Sequence, residues 1–188
     1  MEKSEFIIRR PKREETETIY EFFKTVLSYA YEINGIDDAK GMLEEWNDKK
    51  RILNQDFDTA GRDRFFLFAE YEGRIIGCVE SGIANDLMKR CTNNAFEGLP
   101  EIGTVYTHPG YHRQGVASQL LYHLFRELEA QGIDEFCLDS GFKEAQKIWR
   151  KKYGPPEYFL KDFWGEGSSH MVWRVKVEKA LGLFKPAE

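Results

Sequence analysis

Cysteine is scarce in this chain and badly placed for a covalent or metal framework. Cys78, Cys91 and Cys137 are odd in number and far apart, whereas a disulfide scaffold needs pairs and a zinc knuckle needs close spacing. No metal site is therefore expected. Cys78 and Cys137 lie in apolar, strand-like runs and read as buried thiols. No apolar run reaches the length of a membrane span. The opening residues Met1-Glu2-Lys3-Ser4-Glu5 lack the apolar core of a signal peptide, so a cytoplasmic protein is expected. An excess of positive charge is also missing. The net charge of −5 disfavours non-specific nucleic-acid binding and leans towards a cationic small molecule, although mild acidity is ordinary for soluble proteins. No internal repeat, low-complexity tract or linker divides the 188 residues, and one domain is expected over residues 1–188.

One further absence is local. No Asp or Glu occurs between residues 108 and 126. Into that acid-free stretch runs a strand built on Ile102, Val105 and Tyr106, broken at His108-Pro109-Gly110. An amphipathic helix follows, with Leu120, Leu121, Leu124, Phe125 and Leu128 at helical intervals. Between strand and helix lie His112, Arg113, Gln114, Gly115, Val116, Ala117 and Ser118. A small-residue turn at a helix N-terminus offers free N–H groups and the positive end of the helix dipole. Gly115 and Ala117 let a phosphate approach the main chain.

The remaining elements are read from apolar periodicity and turn residues. A strand at residues 6–9 ends at Pro11. A helix from about residue 14 places Ile19, Phe22, Phe23, Val26 and Leu27 on one face. A second helix covers about residues 38–57, with Asp37 or Asp38 as N-cap and Met42, Leu43, Trp46 and Leu53 as its apolar stripe. Strands at 65–71 and 75–83 flank a hairpin turn at Glu72-Gly73. Residues 85–98 read as a polar loop. Gly132 closes the helix after the acid-free turn. A strand at 133–138, a helix at 143–153 and strands at 158–164 and 170–177 complete the order, before a short apolar tail. That order predicts an α/β fold with a mixed sheet covered by helices on both faces. The tail suits a second copy of the chain, as a homodimer, and equally its own sheet.

The order and two motifs resemble the GNAT superfamily of N-acetyltransferases. The family signature Gln/Arg-x-x-Gly-x-Gly/Ala is matched by His112-Arg113-Gln114-Gly115-Val116-Ala117, after Val105-Tyr106-Thr107-His108-Pro109. A second feature, a helix of the form Ala-x-x-x-aromatic-x-x-x-x-Gly, is matched from Ala145 through Trp149 to Gly154. The resemblance covers nearly the whole chain in element order and is specific at residue level over about 101–154. It implies a mixed, mostly antiparallel central sheet with splayed central strands, and acetyl-CoA or another acyl-CoA as donor. The amides of Arg113, Gln114, Gly115, Val116, Ala117 and Ser118 would hold its pyrophosphate, and His112 would take the place of the usual Gln or Arg. The main chain at Val105 and Thr107 would pair with the pantetheine arm like an added strand. Many relatives carry a Tyr that protonates the leaving thiolate. Aligned on Gly154, Arg150 stands there, preceded by Trp149; either Arg150 stabilises the thiolate by charge, another group serves, or water does, and Tyr153, close in sequence but on a different side of the helix, is the candidate acid.

Acyl transfer to an amine needs the neutral amine and therefore a base. Glu101, just upstream of the central strand, matches a Glu that many relatives carry and is the candidate base; a solvated strand-end Glu is the alternative. No Ser-His-Asp or Cys-His order is evident, so direct attack in a ternary complex is expected. His170 reads either as a group at the acceptor mouth or as a structural His bonded to backbone. Tyr29, Tyr31, Glu32 and Trp46 lie in the helical segment that covers the acceptor pocket in this family, where aromatics and a carboxylate would suit a cation. The basic run Lys147, Arg150, Lys151, Lys152 reads as a solvated helix face or a contact for the coenzyme's phosphates. A non-catalytic acetyl-CoA-binding regulatory module of the same fold is the alternative function. An unrelated nucleotide-phosphate binder stands further off, because the chain has neither a Walker lysine motif nor a complete Gly-x-Gly-x-x-Gly.

Overall fold

Apolar residues around a two-residue turn start the sheet. In the computed structural model, which describes residues 6–184, Arg64–Tyr71 (β2) and Arg74–Ile83 (β3) form an antiparallel hairpin. Glu72 and Gly73 both have positive φ, at 49° and 74°, the geometry that matches the twist of paired strands. Ile7–Arg9 (β1) pairs with the outer side of β2. Pro100–Thr107 (β4), Glu135–Ser140 (β5), Tyr158–Leu160 (β6) and His170–Lys176 (β7) complete seven strands in the order β1-β2-β3-β4-β5-β7-β6. Every neighbouring pair is antiparallel except β4 and β5, which run parallel and align only at Glu101 beside Cys137. Beyond that position the two strands part, so the sheet has a V at its centre.

Helices cover both faces. Thr16–Ile33 (α1) buries Ile19, Phe22, Phe23, Val26 and Leu27 against Phe66, Phe68 and Cys78 of the sheet, as their spacing predicts. Ala39–Thr59 (α2) begins at Asp38, whose Oδ1 accepts from Gly41 N at 2.9 Å. Its inner face is carried by Ile52, Leu53 and Asp56, whereas Leu43, expected in the apolar stripe, is 53% exposed and lies outside the buried face. Asp56 accepts from both terminal nitrogens of Arg10 and from Phe66 N, at 2.6–2.8 Å, which ties the end of β1, α2 and β2 together. On the opposite face Val116–Ala130 (α4), Lys143–Tyr153 (α5) and Val177–Leu183 (α6) pack over Ala69, Val79, Ile102, Phe136 and Trp173.

Three expectations are corrected, and of the two readings of the tail the described residues show the one on its own core. The stretch read as a polar loop contains Asp86–Cys91 (α3), capped by Asn85, and it buries Met88, Cys91 and Phe96 against Cys137 and Val172. The strand expected at 133–138 is displaced two residues, to Glu135–Ser140. The strand expected at 158–164 stops at Leu160, because residues 161–167 turn back, with Asp162, Gly165 and Gly167 at positive φ. The tail forms α6, and its Val177, Ala180 and Phe184 pack on the chain's own core.

Candidate active site

The site is built where β4 and β5 part. β4 carries a bulge there. Cys78 aligns with Tyr106 and Glu80 with Gly103, so Thr104 and Val105 both oppose Val79. Thr104 takes φ of 51°, an uncommon conformation for a β-branched residue. A bulge re-aims side chains and leaves backbone groups of the extra residue outside the ladder. Thr107, at the end of β4, leads through a short turn at Pro109–Tyr111 to the acid-free segment.

That segment is a cradle of amides. Arg113 and Gly115 have positive φ, 62° and 82°, and Gly115 is the N-cap of α4. Among the described residues, none of the amides of Arg113, Gln114, Gly115, Val116, Ala117 and Ser118 donates to a protein acceptor. Alternating left-handed and right-handed residues turn successive N–H groups to one side, the arrangement that holds anions. The side chains brace the turn. Gln114 Nε2 donates to Gly110 O at 3.3 Å. His112 Nε2 lies 3.0 Å from Thr107 O; a carbonyl only accepts, so this nitrogen carries the proton. The His112 ring also meets Tyr29 of α1 edge-on at 5.2 Å. His112 thus joins the end of β4 to the turn and occupies the Thr107 carbonyl. Val105 and Thr107 lie on the stretch of β4 that has no partner on the β5 side.

The vertex of the V carries carboxylates. Glu101 is 4% exposed. Its Oε2 accepts from Asn85 N at 2.7 Å and its Oε1 from Asn85 Nδ2 at 2.8 Å. Burial, then the charge of Asp139, pushes its carboxyl up to about 8, against the pull of the Asn85 amide. Glu80 on β3 is buried beside it, with Arg64 Nη1 donating to Oε2 at 3.2 Å and Thr104 Oγ1 to Oε1 at 3.4 Å. Cys137 aligns with Glu101, and burial followed by Glu101 and Asp139 pushes its thiol up to about 12. Burial also raises Cys78, whose thiol donates to Thr104 O. Neither thiol is a nucleophile at neutral pH.

The cover of the site comes from α1, α2 and the start of α5. Glu45 of α2 accepts from Tyr106 Oη at 2.9 Å and from Tyr31 Oη at 3.2 Å, and Tyr31 meets Phe142 edge-on at 5.7 Å. Burial and then Glu45 raise both phenols, so they remain hydrogen-bond donors. Trp46 faces elsewhere: its Nε1 donates to Tyr20 O and Lys50 Nζ lies 3.8 Å over its ring. Glu32 lies near the exposed end of α1.

Tyr153 is set apart from these groups. Its ring stacks on Trp149 at 5.8 Å, and Phe136 and Phe184 close around it. Its buried hydroxyl has no hydrogen-bond partner among the described residues, and burial alone raises it. Arg150 is exposed on the outer side of α5. Lys147 pairs with Glu144, and Lys152 lies over Phe184. His170, in contrast, is brought to the site, bonded to Asp139 and Trp164 and not to backbone. Sequence reasoning missed Asn85, Asp139, Glu45 and Tyr106. Only Asp139 left a local trace, a lone acid closing the apolar run Phe136-Cys137-Leu138.

Comparison with known proteins agrees with the fold. The sequence profile of the acetyltransferase (GNAT) family matches residues 19–154. Among solved structures, a protein from Desulfovibrio desulfuricans assigned to the GNAT family superposes with a TM-score of 0.70 at 14% identity, over 92% of this chain and 99% of its own. PaiA N-acetyltransferase from Thermoplasma acidophilum, solved in complex with coenzyme A, gives 0.66 at 19% identity, over 92% and 99%. YncA from Salmonella typhimurium, assigned as an acetyltransferase and solved with its cofactor acetyl-CoA, gives 0.62 at 15% identity, over 93% and 95%. No curated protein matches the chain in sequence.

Proposed function

Since the chain belongs to the acetyltransferase (GNAT) family and is an acyltransferase, we propose that it moves an acetyl group from acetyl-CoA to a primary amine by direct attack in a ternary complex. One observation carries this reading: a buried carboxyl, Glu101, stands at the vertex of the splayed strands, and the open end of the V leads to six amides without acceptors. The two relatives solved with coenzyme A or acetyl-CoA support the choice of donor. Residues 1–188 form one such domain in this reading.

The amides of Arg113, Gln114, Gly115, Val116, Ala117 and Ser118 bind the pyrophosphate, helped by the α4 dipole. The pantetheine arm lies along Val105 and Thr107 as an added strand. Because His112 engages the Thr107 carbonyl, it acts on the arm and the turn together. Glu101 takes a proton from the acceptor ammonium. The amine nitrogen then bonds to the thioester carbon, and the C–S bond breaks as the oxyanion collapses. An amide freed by the bulge at Thr104 and Val105 donates to that oxyanion. The departing thiolate is a far weaker base than the alkyl amine and ends as the thiol, taking, directly or through water, the proton that the nitrogen of the tetrahedral intermediate sheds as it becomes the amide. Tyr153 is thereby assigned to packing. The cover, one carboxylate, Glu45, between the phenols of Tyr31 and Tyr106, favours a small cationic acceptor.

The test is release of free coenzyme A thiol from acetyl-CoA by purified protein given a panel of amines. Turnover with any amine supports the enzyme. Binding of acetyl-CoA with no thiol release across the panel would favour the non-catalytic module.

A further inference from the structure

Two hydrogen bonds beside the vertex have no part in the reaction as written. His170, the first residue of β7, is 2% exposed. Its Nδ1 lies 3.1 Å from Trp164 Nε1. An indole N–H only donates, so Nδ1 accepts and the proton of the neutral ring sits on Nε2. Nε2 lies 3.0 Å from Asp139 Oδ2 and donates to it. The tautomer is thus fixed from outside, and the carboxylate it meets is held as an acceptor.

Asp139 stands two residues beyond Cys137 on β5, and Cys137 aligns with Glu101. Cys137, Asp139 and Glu101 share one face of the sheet, and the step from Glu101 to Asp139 is roughly 8 Å between main chains from strand spacing and rise. The groups facing Glu101 are Glu80 of β3, Arg64 of β2, Asn85 ahead of α3, and Cys137 and Asp139 of β5. Asp139 also faces Cys91 of α3 and His170 of β7. Arg64 is engaged by Glu80 and by Ile83 O, so neither Glu101 nor Asp139 has a guanidinium of its own. Two neighbouring carboxyls in such a site titrate as a pair, and a hydrogen bond given to one decides which keeps the last proton.

We propose that Trp164, His170 and Asp139 form a relay that holds the Asp139 carboxylate facing Glu101 and so raises the proton affinity of Glu101, which takes the acceptor's proton once it has lost its own. Asp139 and His170 are positioning residues: they act through Glu101. The relay rests on the reading of Glu101 as base. Gly141 makes room for it, because a Cβ there would stand 2.8 Å from Trp164 Nε1 and 3.6 Å from His170 Nδ1. Trp164 is 54% exposed and Phe163, which packs on both rings, is 37% exposed. The relay therefore ends at the surface, on the loop between β6 and β7.

The test is a carbon-13 NMR titration of the Glu101 and Asp139 carboxyls in ligand-free protein. In the wild type the Glu101 carboxyl should titrate at about 8. Asp139→Asn should lower the Glu101 midpoint by about one pH unit. His170→Phe removes the donor to Asp139 and should lower the Glu101 midpoint, by less than Asp139→Asn does. His170→Gln keeps an N–H towards Asp139 and should retain the wild-type pattern. Should His170→Phe not fold, Trp164→Phe frees Nδ1 and should shift the Glu101 midpoint in the same direction. A Glu101 midpoint indifferent to Asp139→Asn, or identical titrations for His170→Phe and His170→Gln, would overturn the relay. Full activity of Glu101→Gln with the coupling intact would instead remove the base and leave the pairing standing.

Discussion

Glu101 is held by two nitrogens of a single residue, Asn85, in a buried pocket where the guanidinium that faces it, Arg64, is engaged by Glu80. A carboxyl pushed up to about 8 is a much stronger base than a surface Glu, and such matching of base to operating pH is what general base catalysis asks for. Glu101→Gln should lower kcat about a hundredfold or more with a smaller change in KM, as steady-state kinetics would show. Tyr153 presents the opposite case. Its hydroxyl is buried with no partner among the described residues, so Tyr153→Phe removes a group that they leave unsatisfied. That variant should unfold at equal or higher denaturant, with a gain of up to about 1 kcal/mol, and keep its kcat. A large loss of kcat without loss of stability would give the hydroxyl a place in the reaction.

At the scale of elements, the turn between β4 and α4 and the hub at Asp56 separate binding from stability. Gly115 takes φ of 82° and nothing lies within 4 Å of the place a Cβ would occupy. Gly115→Trp should cover the amides and weaken coenzyme A about tenfold or more, measured by calorimetry. Left-handed strain adds about 1–2 kcal/mol of lost stability without unfolding the domain. Asp56→Ala should do the reverse. It leaves Arg10 and Phe66 N without their acceptor, at a cost of about 3 kcal/mol, while coenzyme A affinity in the folded state stays the same. The turn was legible because its signals are local: a strand, a Pro-Gly break, small residues, then helical spacing. The faces of α1 and α4 were legible for the same reason. The stretch before β4 was not. Leu87-Met88 and Ala95-Phe96 are short apolar pairs among polar residues in sequence, and only contact of Met88 and Phe96 with Cys137 and Val172, far along the chain, shows them to be core. Leu43 misled in the other direction, since helical spacing marks a stripe but not whether anything packs on it.

Taken as a whole, the molecule places its unfavourable chemistry on one face of the sheet. Glu80, Glu101 and Asp139 come from three successive strands, and no spacing in sequence foretells that they converge. Only Glu101 was accessible beforehand, through resemblance. Asn85, Asp139, Glu45 and Tyr106 become site residues through register and helix packing alone. The arrangement has a consequence for stability. Glu101 binds its proton more tightly when folded, so its contribution to stability is fully present below the ordinary range near 4.5 and is lost as pH rises through about 8. Chemical denaturation should therefore show Glu101→Gln gaining on the wild type as pH rises through that window, and a constant difference would contradict the buried, protonated carboxyl.

The most direct test of Glu101 as the base of an amine acetyltransferase is the pH profile of thiol release from acetyl-CoA with a reactive amine, taken for the wild type and Glu101→Gln across about pH 6 to 10. The wild-type kcat should climb with pH through about 8 as Glu101 loses its proton, and the variant should be slow and lack that limb. A variant with the wild-type rate and the same limb would contradict the assignment.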